Sequence, residues 1–380
     1  MIVGNFKKIV FPLVVLILSP LLLVLIWIRK KNHKNSHQLR VLIFPQMTRI
    51  GDLVCSTPVF RAIKKKYPKS FVAVAVWKNI TGIIKNNPHI DEIIIYRSHN
   101  LSGFLKTIRD RNFNWSFNLN ASMFSTLAAF CGLIINRVKL TREHKPAGEV
   151  MTDWLNNYKL LYRDHTYLPR RYLDMLAHMG IENSEEMKEV FATEESEEKT
   201  KEFLKQNNIL ETDRLVGMSI TAGNKIKEWG DEKFAELAKR TSEKYGTKII
   251  FLGGKNDEER IDKLLKSSGN KNFIKAVDFS LEDVSSIIKR LNLFISVDTG
   301  PIYIAHALKI PLIDIIGPVD PAEQPPNDGI SLQVLPNPYV PPTSFVFKKR
   351  GSPEFIKKAL ENTSVESVRE AVDTLLARKL

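Results

Sequence analysis

The sequence predicts an α/β protein with two parallel-sheet domains behind a hydrophobic leader. Three observations predict it. Short β-branched apolar runs alternate with helix-period segments from residue 40 to about residue 139, and again from 214 to 316, the pattern of βαβ units. The chain has 380 residues, enough for two domains of ordinary size. Residues 9–28, IVFPLVVLILSPLLLVLIWI, carry no charge and are about long enough to cross a bilayer as one helix.

The leader reads as a retained single-pass anchor, residues 1–35. Pro12 and Pro20 are tolerated in membrane helices, and Trp27 lies where an interfacial aromatic belongs. Small residues that would mark a cleavage site are missing, and Arg29-Lys30-Lys31 follows at once. A kinked hairpin within one leaflet is the alternative form. Arg29, Lys30, Lys31, Lys34 and Arg40 follow the span, against Lys7, Lys8 and the amino group before it. The positive-inside rule then keeps the bulk of the chain in the cytoplasm.

Residues 40–44 read as a buried strand and 53–67 as a helix, leaving Asp52 on the crossing loop at a strand's carboxyl end. In open α/β sheets ligands bind there. Strands follow at 71–76, 92–96 and 114–120, with a helix at 101–111. Residues 141–183 are less regular and rich in Arg, His and Tyr, and 184–208 are acidic in the middle and end as a helix. The domain boundary is placed there, giving domains 36–205 and 206–380 with a cleft between two lobes. The second domain predicts strands at 214–220, 248–254, 272–277, 293–297 and 310–316, and helices at 231–245, 257–267, 281–291 and from Pro301. Residues 317–353, rich in proline, read as loop, and 365–376 as an amphipathic helix.

Composition is ordinary for a globular protein: 43% hydrophobic and 26% charged. Half of the formal net charge of +14 lies in residues 1–40, which hold seven Lys/Arg and no acid. A basic surface suits anionic partners such as acidic lipids, phosphorylated glycans or nucleotides. No finger, RNP motif or dense Lys/Arg stripe points to nucleic acid. Cys55 and Cys131 form no disulfide framework, which fits a reducing compartment, and neither has metal-ligand spacing. There is no G-x-G-x-x-G, no P-loop and no HExxH. The loops point to a phosphorylated ligand without metal, redox cofactor or P-loop chemistry.

Three strand-end loops carry the candidate chemistry. In SVDTGPIYIAHAL, Asp298-Thr299-Gly300 precedes a helix begun by Pro301, whose free N–H groups and the Thr299 hydroxyl can hold a phosphate. Asp or Thr at that place can equally be a plain cap. In SITAGNKIKEWGDEKF, Thr221-Ala222-Gly223 is followed by Lys227, which either neutralises a diphosphate or is solvated. FLGGKNDEE offers Asp257 and Glu258 for ribose hydroxyls, or as first-turn acids favouring a helix dipole.

Taken together, RIGDLVCSTPVFRAIKKKYP (49–68), DTGPIYIAHAL (298–308) and GPVDP (317–321), with weaker support from KEWGDEKFAELA (227–238), resemble the heptosyltransferase family of glycosyltransferases. The likeness runs across nearly all of 40–380. It implies the GT-B fold, two Rossmann-like domains facing a cleft, and an inverting, metal-independent transfer with no cofactor. The acceptor, commonly a lipopolysaccharide core or related lipid-linked glycan, would sit on the N-terminal domain with Arg49 and Gly51. The nucleotide sugar, commonly ADP-heptose, would sit on the C-terminal one. The resemblance makes Asp52 the base that deprotonates the acceptor hydroxyl. It makes Lys227 the donor-phosphate lysine, Thr299 and Gly300 the phosphate-holding loop, and Asp298 the carboxylate facing the donor sugar. Thr221, Ala222, Gly223, Glu258 and Tyr303 complete the expected donor side. One position departs: where the family has Asp-Thr/Ser-Gly-x-x-His, this chain has Tyr303, with His306 three residues on. A phenol donates one hydrogen bond and cannot become a cation near neutral pH. The reading is thus an enzyme at the cytoplasmic face of the inner membrane. The alternatives are a non-catalytic nucleotide-sugar or glycan-binding protein and a membrane-tethered scaffold.

Overall fold

A computed structural model describes residues 2–32, 38–97, 99–347 and 353–377. Lys34 and the boundary expected at residue 35 lie outside the described residues. The chain divides into two compact units, one of Met1–Thr81 with Asn87–Glu186, the other of Gly82–Asn86 with Met187–Leu380.

Unit 1 runs α1 (Ile2–Asn32), β1 (Arg40–Phe44), α2 (Ile50–Lys66), β2 (Phe71–Trp77), β3 (Glu92–Tyr96), α3 (Leu101–Asp110), β4 (Trp115–Asn118), α4 (Met123–Cys131), β5 (Asn136–Arg142), α5 (Ala147–Thr152), β6 (Tyr158–Tyr162) and α6 (Leu168–Asp174). Its six strands, in the order β3-β2-β1-β4-β5-β6, are all parallel. Parallel strands covered on both faces read as continuous apolar runs, and β2 is buried from Val72 to Val76. β5 breaks that pattern and was not legible as a strand. Its Arg137 and Lys139 are buried because the guanidinium donates to the Leu155 carbonyl at 2.6 Å and the Lys139 amine to Asp153 at 2.6 Å.

α2 starts earlier than its apolar period predicted. Asp52 therefore lies in the first helical turn and not on a loop. Pro58 stands inside this helix, and its missing N–H frees the Val54 carbonyl. The Thr57 hydroxyl donates to that carbonyl at 2.8 Å, so the helix continues.

α1 does not stand clear of unit 1. Val15, Leu22 and Ile26 are buried in a cluster with Leu127, Phe130 and Cys131 of α4 and with Leu155. The Arg29 guanidinium donates to the carbonyls of Phe113 at 3.1 Å and Gly132 at 3.3 Å. Burial pushes the Cys131 thiol up to about 11, which leaves it a packing group.

Unit 2 runs α7 (Glu194–Gln206), β7 (Leu215–Ser219), α8 (Asp231–Tyr245), β8 (Lys248–Gly253), α9 (Glu258–Ser268), β9 (Phe273–Val277), α10 (Leu281–Lys289), β10 (Leu293–Val297), α11 (Gly300–Ala307), β11 (Leu312–Ile315), β12 (Ser331–Val334), α12 (Pro353–Glu361) and α13 (Val365–Ala377). The sheet order is β12-β11-β10-β7-β8-β9, again all parallel. β12 and α12 were not legible in their proline-rich and charged surroundings. α7, placed from sequence at the end of the first domain, belongs to unit 2 and packs on α10. A reciprocal cap between Thr193 and Ser196 starts it.

Both sheets reverse strand order beside their first strand, β1 in unit 1 and β7 in unit 2. At such a switch point the connections leave in opposite directions and open a crevice at the strands' carboxyl ends. In unit 1 the turn after β1 borders the crevice of its own sheet, and in unit 2 the turns after β7 and β10 border that of the second sheet.

Candidate functional site

In unit 1 the turn after β1 carries Arg49 as N-cap of α2, then Gly51 and Asp52. Asp52 is 5% exposed, and an acid in a helix's first turn is favoured by the free N–H groups there. Tyr172 of α6 is fully buried, and its hydroxyl has no hydrogen-bond partner among the described residues. Burial pushes this phenol well up, and Asp52 and Cys55 push it further. Tyr172 thus stays protonated within the field of Asp52. No motif or spacing in the chain singled out Tyr172 beforehand.

In unit 2 three loops expected from sequence converge. The Thr221 hydroxyl donates to Asp257 at 3.0 Å, and the Gly254 N–H donates to the same oxygen at 2.8 Å. The Ala222 N–H reaches Glu228 at 3.4 Å, and Arg260 donates to Glu228 at 2.7 Å and to Asp231 at 2.6 Å. Gly223 faces open space where a side chain would stand. Gly230, with φ +109°, turns the chain into α8, a conformation that favours glycine. Glu258 is not part of this group: its carboxylate accepts from Lys275 at 2.9 Å on the exposed side of α9. Asp257 holds the place beside Thr221.

The turn after β10 supplies the other wall. Thr299 is the N-cap of α11, and among the described residues no side chain caps the helix. Pro301 has no N–H and the Ile302 N–H donates to the Thr299 carbonyl at 3.1 Å, which leaves the Gly300 N–H for an anion. Lys227 pairs with the Asp298 carboxylate and lies 3.3 Å from the Asp298 carbonyl. The Tyr303 hydroxyl donates to the other Asp298 oxygen. Tyr303 is buried and pins Asp298 from below. We expect Tyr303→Phe to weaken donor handling or stability by about 1.5–3 kcal/mol, as for a hydrogen bond to a charged group. Unchanged unfolding and unchanged donor affinity would reduce Tyr303 to packing.

Beneath this loop lie groups that sequence reasoning left unassigned. Lys188, 1% exposed, stands over the Tyr303 ring at 5.7 Å and donates to His306 Nδ1 at 3.5 Å, and His306 Nε2–H donates to Asp328 at 2.9 Å. Asp314 of β11 is fully buried, with neither carboxylate oxygen hydrogen-bonded among the described residues. Burial and then Asp298 push its carboxyl up, against Lys227 and Lys188.

Burial, helped by Lys188 and opposed by Asp328, pushes His306 down to about 4 from 6.5. Between those values the unfolded chain binds more protons, so this contribution to stability is whole above pH 6.5 and is lost as pH falls through about 4. The loss is expected to reach about 3 kcal/mol. His306→Gln should flatten the acid limb of a stability–pH curve measured by denaturant unfolding, and an unaltered limb would refute this assignment.

Among the described residues no group of three or more His, Cys, Asp or Glu could hold a metal ion. Unit 1 offers a carboxylate that can take a proton, and unit 2 an ammonium–carboxylate pair beside a helix start that can meet a phosphate.

The model of glycosyltransferase family 9 (heptosyltransferase) matches residues 102–337. Lipopolysaccharide heptosyltransferase 3 of Escherichia coli K12 is 22% identical over 283 residues, 71% of this chain and 80% of that protein. A family 9 glycosyltransferase of Veillonella parvula superposes with a TM-score of 0.75 at 21% identity, covering 90% of this chain and 98% of that one. The E. coli ADP-heptose heptosyltransferase II superposes at 0.72 and 17%, covering 90% and 99%.

Proposed function

We propose, for a chain that belongs to glycosyltransferase family 9, the heptosyltransferases, a metal-independent, inverting transfer of a heptose or related sugar. The chain is a glycosyltransferase, and its relatives make lipopolysaccharide. The donor in this reading is an ADP-heptose-like nucleotide sugar, the kind for which the related E. coli heptosyltransferase II is named. The acceptor is a lipopolysaccharide core or related lipid-linked glycan. Transfer takes place at the cytoplasmic face of the inner membrane. The observation that carries the reading is the start of α11, which no side chain caps, beside the Lys227 ammonium.

The diphosphate takes Lys227 and the N–H groups at Thr299 and Gly300, with Thr221, Ala222 and Gly223 forming the opposite wall. Asp298, held by Tyr303, faces the donor sugar. Asp52 removes the acceptor's proton as its oxygen attacks the anomeric carbon, while Arg49 and Gly51 border the acceptor. The anomeric carbon inverts, and the nucleoside diphosphate leaves onto Lys227.

ADP release from ADP-heptose by the purified full-length chain, with a heptose-accepting lipopolysaccharide core and with EDTA present, tests the reading. Donor binding without release would favour the binding protein, and loss of rate in EDTA would refute metal independence. Lys227→Ala is expected to weaken ADP binding about 10- to 100-fold, the range for one charge-assisted bond, and to leave adenosine binding nearly unchanged. Equal weakening of both would remove Lys227 from the diphosphate.

A further inference from the structure

We propose that α1 is an in-plane membrane anchor: it lies along unit 1 and inserts its outer faces sideways into one leaflet of an anionic bilayer, without crossing it. Composition alone allows a span, since 10–31 have the length and hydropathy for one. The packing argues otherwise. From Phe11 through the buried Val15, Leu22 and Ile26 to Arg29, the helix rests on unit 1. Those 18 steps cover about 27 Å at the helical rise, close to the whole hydrocarbon thickness of about 30 Å. A perpendicular α1 would carry its neighbours into the hydrocarbon. α3, which also packs on α4, exposes Lys106, Arg109 and Asp110, and charges at that depth are costly.

The rest of α1 fits a lipid surface. Ile17, Leu21 and Val24 are more than half exposed on one side, and Trp27 is 62% exposed with the Lys31 ammonium 5.5 Å from its ring. No acidic residue occurs before Asp52. α5 and the turn at 153–155 pack on α4 as α1 does, and they expose Val150, Met151 and Trp154. Apolar side chains of this extent with Lys30 and Lys31 at one end match a headgroup–acyl boundary carrying negative charge.

The test reads topology and needs no turnover, so it stands or falls apart from the proposed reaction. In the full-length chain Cys55 and Cys131 are buried, so Gly4→Cys supplies the reactive thiol. A membrane-impermeant maleimide should label it at least about tenfold more in inside-out vesicles than in spheroplasts. Labelling from the periplasmic side would overturn the proposal. The purified chain should also float with protein-free phosphatidylglycerol vesicles. The Ile17→Ser/Leu21→Ser/Val24→Ser variant should bind them at least about tenfold more weakly with its unfolding midpoint unchanged. Leu22→Ser should lower that midpoint. Failure of the wild-type chain to bind vesicles, or its self-association through α1 in their place, would overturn the proposal.

Discussion

Asp52→Asn is expected to lower turnover by about 10²–10⁴-fold while leaving donor affinity and the unfolding midpoint unchanged, the loss typical of a general base. The amide keeps the shape of the carboxylate and can still accept a hydrogen bond from the start of α2, but it cannot take the acceptor's proton. The residue sits in the first turn after β1, beside the point where the strand order reverses, so its position is set by backbone and not by a mobile loop. Single-turnover measurements with saturating donor and acceptor would separate the chemical step from binding. Near-normal turnover would remove the base role. A large loss of stability would return Asp52 to the plain part of a first-turn acid.

Lys188→Met is expected to cost about 3–5 kcal/mol of unfolding free energy, the loss seen when one partner of a buried charge cluster is removed. The substitution keeps the length and apolar stem but takes away the cation that faces His306 Nδ1 and offsets Asp314. Asp314 and Asp298 then share one remaining ammonium, that of Lys227. The double variant Lys188→Met/Asp314→Leu should recover most of the loss, because replacing a whole buried charged group by apolar residues of similar size is often neutral. Urea unfolding of the single and double variants checks this. A loss below about 1 kcal/mol, the size of an exposed pair, or no recovery in the double variant, would show that Lys188 does not carry the cluster.

Much of this architecture was legible because buried parallel strands announce themselves. β2 and β10 are buried, largely apolar runs between loops, and α8 has a clear helical period with acids at its start. Asp52, Lys227, Asp298 and Thr299 came forward as candidates for the same reason, since each follows such a strand. What stayed hidden depends on partners distant in sequence. β5 carries Arg137 and Lys139, which read as surface residues until Leu155 and Asp153 are seen to receive them. Lys188 lies in an acidic, linker-like stretch, and nothing local says that it is buried. Asp314 interrupts an apolar strand, where a carboxylate would ordinarily be improbable. The docking of α1 was hidden because an unbroken apolar run has no period to mark a buried side.

The Lys227 ammonium is paired with the Asp298 carboxylate. If Lys227 takes the donor diphosphate as proposed, donor entry is an exchange of counter-ions and not the filling of a bare cationic hollow. Under the proposed function an incoming diphosphate competes with Asp298 for Lys227, and the carboxylate keeps Tyr303 as its tether. A nucleoside or an uncharged sugar brings no charge to that competition, so in this reading the pair acts as a latch that answers to an anion. Salt weakens the latch and the incoming contact together, which should leave donor affinity less sensitive to ionic strength than an unpaired lysine would make it.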